Sequence, residues 1–253
     1  VLDHLSYSSI NTYLKCHRAW RFKYIDEIPE RKSTALLFGA VFHEAIESYI
    51  LSRGDIIQSW AAAWESKLAE LDGQIAWEKD TPEALCNEGI RILTEPDVFN
   101  VIDALKPLVI DEEPQIEHYI ELRVPGVPIP IIGYIDMIEA DGVPVDFKTA
   151  GKSWSPDRVQ RELQPLFYLA ALGQMGFFEH GWYFRHYIFV RNKTPKVQTF
   201  ETQYSIDEII WLFDLIREVW ENIQKENFAP TGAGSFLCSA KYCDYWGICR
   251  GRQ

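Results

Sequence analysis

The chain has 253 residues, 47% of them apolar or aromatic, which is ample for a sizeable core in one large domain or two small ones. Its net charge of −12 argues against a general polyanion binder, but residues 44–121 hold 18 acidic and 5 basic side chains, so the remainder sums to +1 and leaves room for a local basic groove. No run of about 18 apolar residues is present to cross a membrane and Val1-Leu-Asp-His-Leu-Ser is unlike a secretory signal, so a soluble, intracellular, cytoplasmic protein is expected, with upstream residues left open by the missing initial Met.

The stretch from Ser6 to Tyr24, with Ser8 as cap and Tyr13, Leu14, Ala19 and Trp20 near helical spacing, predicts one helix. A second helix starts near Ala35 to Gly39 and carries Phe42, Ile46, Tyr49 and Ile50 on one face, with His43 and Glu47 one turn apart. The acidic segment from about 52 to 111, rich in Trp, Ala, Leu and Glu, reads as a helical insertion, either a protein interface, a negative wall beside a channel or a solvated face. From Gln115 the period becomes two, through Ile116, His118, Ile120, Leu122 and Val124, which marks a strand. Strands also follow over 131–137 and 143–147. Ser155-Pro156-Asp157 opens a helix expected to run to about Met175. Two more strands, Trp182 to Arg191 and Lys196 to Tyr204, precede a last helix from Asp207. This order predicts an α/β fold with a mixed sheet and helices packed on it. Neither a GxGxxG nor a Walker phosphate loop occurs, so a nucleotide cofactor has no support.

Within Gly133-Tyr-Ile-Asp136 and Asp146-Phe147-Lys148, two acids and a lysine flank a turn in the manner of a divalent-metal site, which points to phosphodiester cleavage. Loop length decides whether the acids meet, because a slip of one residue reverses the face of a side chain. A two-residue loop, Asp141-Gly142, puts Asp136 and Asp146 on opposite faces. A three-residue loop, Ala140-Asp141-Gly142 with Gly142 left-handed, sets them directly opposite, with Lys148 on their face. Opposed carboxylates repel and raise one pKa unless a cation bridges them. A surface hairpin with solvated carboxylates is the other reading.

Of five cysteines, Cys238, Cys243 and Cys249 lie within twelve residues. Thiolates so spaced in a reducing compartment more often hold a metal centre than form disulfides, and iron–sulfur clusters and structural zinc both want four ligands. Cys16 is the best fourth, beside a basic stretch, whereas Cys86 lies in the acidic insertion. Such a centre would join the two ends of the chain. Buried free thiols are the alternative.

Together these residues resemble the PD-(D/E)XK nuclease superfamily, in particular its iron–sulfur branch of CRISPR-associated exonucleases, related phage and viral exonucleases, and AddB- or RecB-like nuclease domains. The resemblance places the helical histidine at His43 within Gly39-Ala-Val-Phe-His-Glu-Ala-Ile-Glu47, the first acid at Asp136, the Asp-x-Lys pair at Asp146 and Lys148, and a Gln-x-x-x-Tyr motif at Gln164 and Tyr168. One amino-terminal and three carboxy-terminal cysteines complete the pattern, although the gaps here are four and five residues where two and five are common.

The resemblance implies a single restriction-endonuclease-like domain over 1–253, with iron–sulfur segments at about 6–24 and 236–253. It also implies Mg2+ or Mn2+ held by His43, Asp136, Asp146 and the backbone carbonyl of Phe147, and a structural [4Fe-4S] cluster, or zinc, on Cys16, Cys238, Cys243 and Cys249. Hard oxygen ligands suit those divalent ions. Lys148 would orient water or stabilise developing charge, while Gln164 and Tyr168, one turn apart, would face the same site. Arg18 and Arg21, with Tyr7 and Trp246, could track a DNA strand by charge and stacking. The expected activity is a metal-dependent DNA exonuclease acting on single-stranded ends. A non-catalytic DNA-end-binding subunit of a larger complex, a homo-oligomer and an RNA-directed nuclease stay open.

Overall fold

The computed structural model describes residues 2–71, 73–177, 181–230 and 234–250. They fall into two compact units, one of Val1–Arg31, Glu121–Gly133 and Ile206–Gln253, the other of Lys32–Ile120 and Tyr134–Ser205.

After β1 (Leu5–Ser6), the expected first helix is two, α1 (Tyr7–Lys15) and α2 (His17–Tyr24). Ser6, not Ser8, is the cap: its hydroxyl accepts the Ser9 N–H at 3.1 Å while the Ser9 hydroxyl accepts the Ser6 N–H at 3.0 Å, a reciprocal box. The break is at Cys16, whose backbone is extended (φ −162°, ψ 109°). Packing with the carboxy-terminal segment of the same unit accompanies it, since the Tyr13 hydroxyl donates to the Asn227 carbonyl and Trp20 stacks on Phe228.

In the second unit, β2 (Lys32–Ser33) leads into α3 (Thr34–Ser52), capped by the Ser33 hydroxyl and closed by Arg53 in the left-handed region. By length and composition α3 could cross a membrane, but Leu37, Phe38, Val41, Phe42, Ala45 and Ile46 are wholly buried in the core of this unit. The acidic segment is helical as expected, α4 (Ile56–Glu70), α5 (Pro82–Leu93) and α6 (Pro96–Ala104), interrupted by β3 (Ile75–Ala76) and followed by two short strands, β4 (Val109–Ile110) and β5 (Glu113–Pro114).

Close approach of α4 and α5 depends on Gly89, where a Cβ would fall 2.0 Å from a ring carbon of the fully buried Trp60. Elsewhere on a helix, Gly→Ala gains up to about 1 kcal/mol. Here Gly89→Ala should instead destabilise by about 3 kcal/mol, the upper part of the range for overpacking, because an indole enclosed on all sides cannot swing away. Urea unfolding checks this, and an unchanged midpoint would count against so tight a contact.

The remaining elements are β6 (Ile116–Leu122), β7 (Ile131–Ile138), β8 (Pro144–Ala150), α7 (Pro156–Gln160), α8 (Gln164–Gln174), β9 (Tyr183–Val190), β10 (Lys196–Gln203), α9 (Ile206–Gln224) and α10 (Trp246–Arg250). Ser155 caps α7 with Pro156 in its first turn, as expected, but the helix stops at Gln160 and a new one starts at Gln164. Pro165 explains the restart. It has no N–H and is tolerated only in a first turn.

The central sheet is mixed, in the order β1-β7-β8-β9-β10 with β6 also on β7. β7 and β8 are antiparallel, β8 and β9 parallel, β9 and β10 antiparallel. Side-chain alternation sends Val145, Phe147, Tyr187 and Phe189 into the core with α3, where Phe42 meets Phe189 at 4.9 Å between ring centres. Asp146, Lys148, His186, Ile188 and Val190 take the other face. There Trp154 and Val159 pack on Ile188 and Val190, and Tyr168 of α8 meets Phe184.

Candidate active site

The β7–β8 hairpin has the three-residue loop. Met137 pairs with Val145 and Ile138 with Pro144, the Glu139 N–H donates to the Val143 carbonyl at 2.9 Å, and Gly142 sits at φ +82°. Carried one residue further, the register sets Asp136 against Asp146. The backbone ladder opens at that point, because the Phe147 N–H donates to Asp136 Oδ2 at 2.6 Å instead of to a carbonyl. Arg185 on β9 anchors the hairpin tip, donating to Glu139, to Asp141 at 3.0 Å and to Glu201 on β10, while Tyr187 donates to Glu139.

Six of the expected residues converge in the second unit around this opening. Lys148 Nζ donates to Asp146 Oδ1 at 2.6 Å and to Gln164 Oε1 at 2.9 Å, and Gln164 Nε2 donates to the Tyr168 hydroxyl at 2.7 Å. The restart of the helix at Gln164 is what brings the Gln-x-x-x-Tyr face to the lysine. On the other side of Asp136, His43 of α3 lies with Nδ1 3.4 Å from Asp136 Oδ2. Asp146 is 1% exposed, and its Oδ2 has no hydrogen-bond partner among the described residues.

Electrostatics separate the two carboxyls. Burial pushes Asp146 up, Lys148 opposes this, Asp136 adds to it, and the pKa settles at about 6. Asp136 is buried too, but His43, its hydrogen bond, Lys148 and the Phe147 N–H outweigh the burial and hold it below the ordinary carboxylate range. For His43, burial favours the neutral ring, but the charge and hydrogen bond of Asp136 and the charge of Asp146 prevail and raise it to about 9. Burial would likewise lower Lys148, yet Asp146 and Asp136 raise it, so it stays charged. Two opposed carboxyls and an imidazole meet here with one orphaned carboxylate oxygen, a donor set suited to a divalent cation.

Two residues were not anticipated. Glu117 on β6 is pushed up to about 7, by desolvation first and then by Asp136 and Glu47. His186 is the register partner of Asp146 on β9, fully enclosed and held neutral, its pKa lowered to about 4 by burial and then by Lys148. Glu47, one turn from His43 on α3, is raised by burial and by Glu44 and Asp136, which places it at this site also. Periodicity alone marked Glu117 only as lying opposite the apolar face of its strand.

The cysteines lie in the first unit. Cys16, Cys238, Cys243 and Cys249 line one cavity of about 220 Å³, together with Phe22 and Trp246. Burial raises the Cys243 thiol, a backbone hydrogen bond at Tyr245 opposes this, and Coulombic coupling to Cys16, Cys238 and Cys249 adds to it, so Cys243 is within electrostatic reach of the other three. Among the described residues no three His, Cys, Asp or Glu side chains form a ready-made ligand set for a single ion, at either site. Arg18 and Arg21 are engaged in packing within this unit: Arg18 donates to the Phe228 carbonyl, and Arg21 pairs with Asp26 and lies over the Phe228 ring. Residues 251–253, the end of the expected carboxy-terminal segment, lie outside the described residues.

The chain is similar in fold to the crystal structure of a “Putative exonuclease” from Eubacterium rectale, with a TM-score of 0.62 and 13% identity over 99% of this chain and 90% of that one. A solved structure named SSO0001 covers 97% and 94% of the two chains at 15% identity, but with a TM-score of 0.36. No curated protein is similar enough in sequence to count as a relative. The family comparison matches the PD-(D/E)XK nuclease superfamily along residues 4–250, a span that includes the opposed acids, the lysine and all four clustered cysteines. The chain therefore belongs to the PD-(D/E)XK nuclease superfamily.

Proposed function

We propose that the chain is a metal-dependent DNA exonuclease that works as one nuclease domain inside the cell and acts on single-stranded ends. The observation that carries the catalytic part is the pair Asp136 and Asp146, buried face to face, split in pKa and served by one charged lysine. Asp136, Asp146, His43 and the Phe147 carbonyl would hold Mg2+ or Mn2+, and the orphaned Asp146 Oδ2 fits that role. When bound, the ion polarises the scissile phosphate and lowers the pKa of a coordinated water. Lys148 stays protonated and offers its charge to the phosphate oxygens as negative charge develops. Gln164 aims the Lys148 ammonium, and Tyr168 in turn fixes the Gln164 amide. Arg18 and Arg21 enter as positive charge for the backbone of the strand.

The four-thiol cavity is read as the seat of a structural [4Fe-4S] cluster. Four thiols around one cavity support that reading. Structural zinc is the competing occupant.

His43 gives the divalent site a pH signature. A metal needs the neutral imidazole, whereas the metal-free protein keeps the ring protonated up to about pH 9. Binding of Mn2+ should therefore release about one proton and tighten as pH rises from 7 towards 9. For the metal-free fold the sign is opposite: a raised histidine stabilises below its unfolded value near 6.5, and that contribution is lost as pH climbs through 9. Calorimetric titration of Mn2+ in buffers of differing ionisation enthalpy checks the proton count, and none released would remove His43 from the ligand set.

The activity is tested with anaerobically purified protein on end-labelled single- and double-stranded DNA, with Mn2+ or chelator, beside Asp146→Ala. Loss of label that needs both metal and Asp146 supports the nuclease, and the product ladder gives its polarity. Tight binding of DNA ends without cleavage would favour the non-catalytic subunit instead.

A further inference from the structure

We infer that Tyr119 and Tyr134 form a nucleobase-stacking subsite one step along the sheet from the metal-binding acids. This rests on the nuclease reading above and names a part of the substrate that the reading leaves unassigned.

The Ile138 N–H donates to the Gln115 carbonyl at 2.9 Å, which lays β6 antiparallel beside β7. Glu117 stands in the left-handed region at φ +46°, so the count along β6 is interrupted there and the placing of the pair rests on β7 and on the ring contact. On β7, Tyr134 lies two residues from Asp136 with the buried Ile135 between them, so the two side chains share a face about 7 Å apart. The ring of Tyr119 on β6 meets that of Tyr134 edge to face, with centroids 5.5 Å apart. That is comparable to the length of one extended nucleotide.

Exposure sets the pair apart. Tyr119 is 45% and Tyr134 54% exposed, although both lie on paired strands and Tyr134 is two residues from the half-buried Asp136. A cross-strand aromatic pair adds something to sheet stability in any setting. Two phenol rings left open to solvent beside a phosphate-cleaving centre also present a π surface that any base can stack on. A base lying on one ring would meet the edge of the other. The glutamates and aspartates around them repel the phosphate backbone wherever no cation intervenes, so an uncharged base is the part of the strand best suited to this patch. Bases in a duplex are already stacked and paired, so the subsite takes a base from an unpaired strand or a frayed end.

The test uses the full chain with Mn2+ and a set of single-stranded oligonucleotides in which one abasic residue is moved along the sequence. In the wild type, removal of the base that falls on the subsite should raise KM by about tenfold, within the range for loss of one stacked base, with kcat changed only a few-fold. Tyr134→Ala should raise KM by a similar factor on the intact strand and erase the further penalty for the missing base. Tyr134→Phe keeps the ring and should behave as the wild type, and Tyr119→Ala should reproduce the alanine result more weakly or equally. A purely structural pair would lower thermal stability without touching the abasic profile. If the wild type cleaves DNA and the Tyr134→Ala profile is unchanged, the subsite is wrong and the nuclease reading stands. Should the wild type neither cleave nor bind any strand, both fall together.

Discussion

Lys148→Ala is expected to lower cleavage by about 10³-fold while DNA binding stays within a few-fold of wild type. The magnitude follows from removing one preorganised donor aimed at developing negative charge, which costs on the order of 10² to 10³ and corresponds to roughly 3 to 4 kcal/mol of barrier. In the metal-free protein the same change leaves Asp146 Oδ1 without its 2.6 Å partner and removes the charge that most opposes protonation of that carboxyl. Asp146 should then titrate higher, and the fold should lose roughly 2 to 3 kcal/mol, less than a fully enclosed pair would because Lys148 is about a quarter exposed and the carboxyl can take up a proton. If Asp136 and Asp146 hold Mn2+, its addition should offset that loss. Single-turnover cleavage, fluorescence anisotropy on a labelled strand and urea unfolding with and without Mn2+ separate these terms. Undiminished turnover would remove Lys148 from the mechanism.

Cys243→Ala should abolish any brown chromophore of the anaerobically purified protein and lower its thermal midpoint by about 10 °C or more. A centre liganded by Cys16 at one end of the chain and Cys238, Cys243 and Cys249 at the other cross-links a loop of more than two hundred residues, and its binding free energy is folding free energy. A loss of several kcal/mol converts to a shift of that size for a chain of this length. The effect should reach the contacts that tie the amino- and carboxy-terminal segments of this unit, such as Tyr13 to Asn227 and Tyr245 to Ile28. Iron and sulfide analysis with visible absorption gives the identity of the centre, and zinc without iron would select the alternative. Folding and absorbance both unaffected by the substitution would count against any metal centre there.

The hairpin that carries the site was legible because both of its determinants are local. A period of two assigns faces, and of the two loop lengths open to the sequence the structure adopts the three-residue one with Gly142 at φ +82°, which sets Asp136 against Asp146 with Lys148 on their face. The cap at Ser155 and the apolar stripe of α3 were legible for the same reason. The divided pKa values of the two acids agree with repulsion between opposed carboxylates, an expectation that needed only the register.

Glu117, Tyr119 and His186 could not be placed that way. β6 and β7 are joined by the irregular stretch 123–130, whose length does not dictate a register, and the parallel pairing of β8 with β9 connects residues some forty apart in sequence. Which side chains neighbour Asp136 and Asp146 therefore depends on long-range strand pairing. The break at Cys16 is similar: helical spacing runs through it, and the extended backbone there accompanies packing of Tyr13 and Trp20 on residues more than two hundred positions away. Sequence by itself thus determined the chemistry available and the local geometry of one hairpin. The tertiary structure decided which acids crowd together, how far they are desolvated and where aromatic rings stay exposed, because burial and field depend on neighbours that the chain meets only once it is folded.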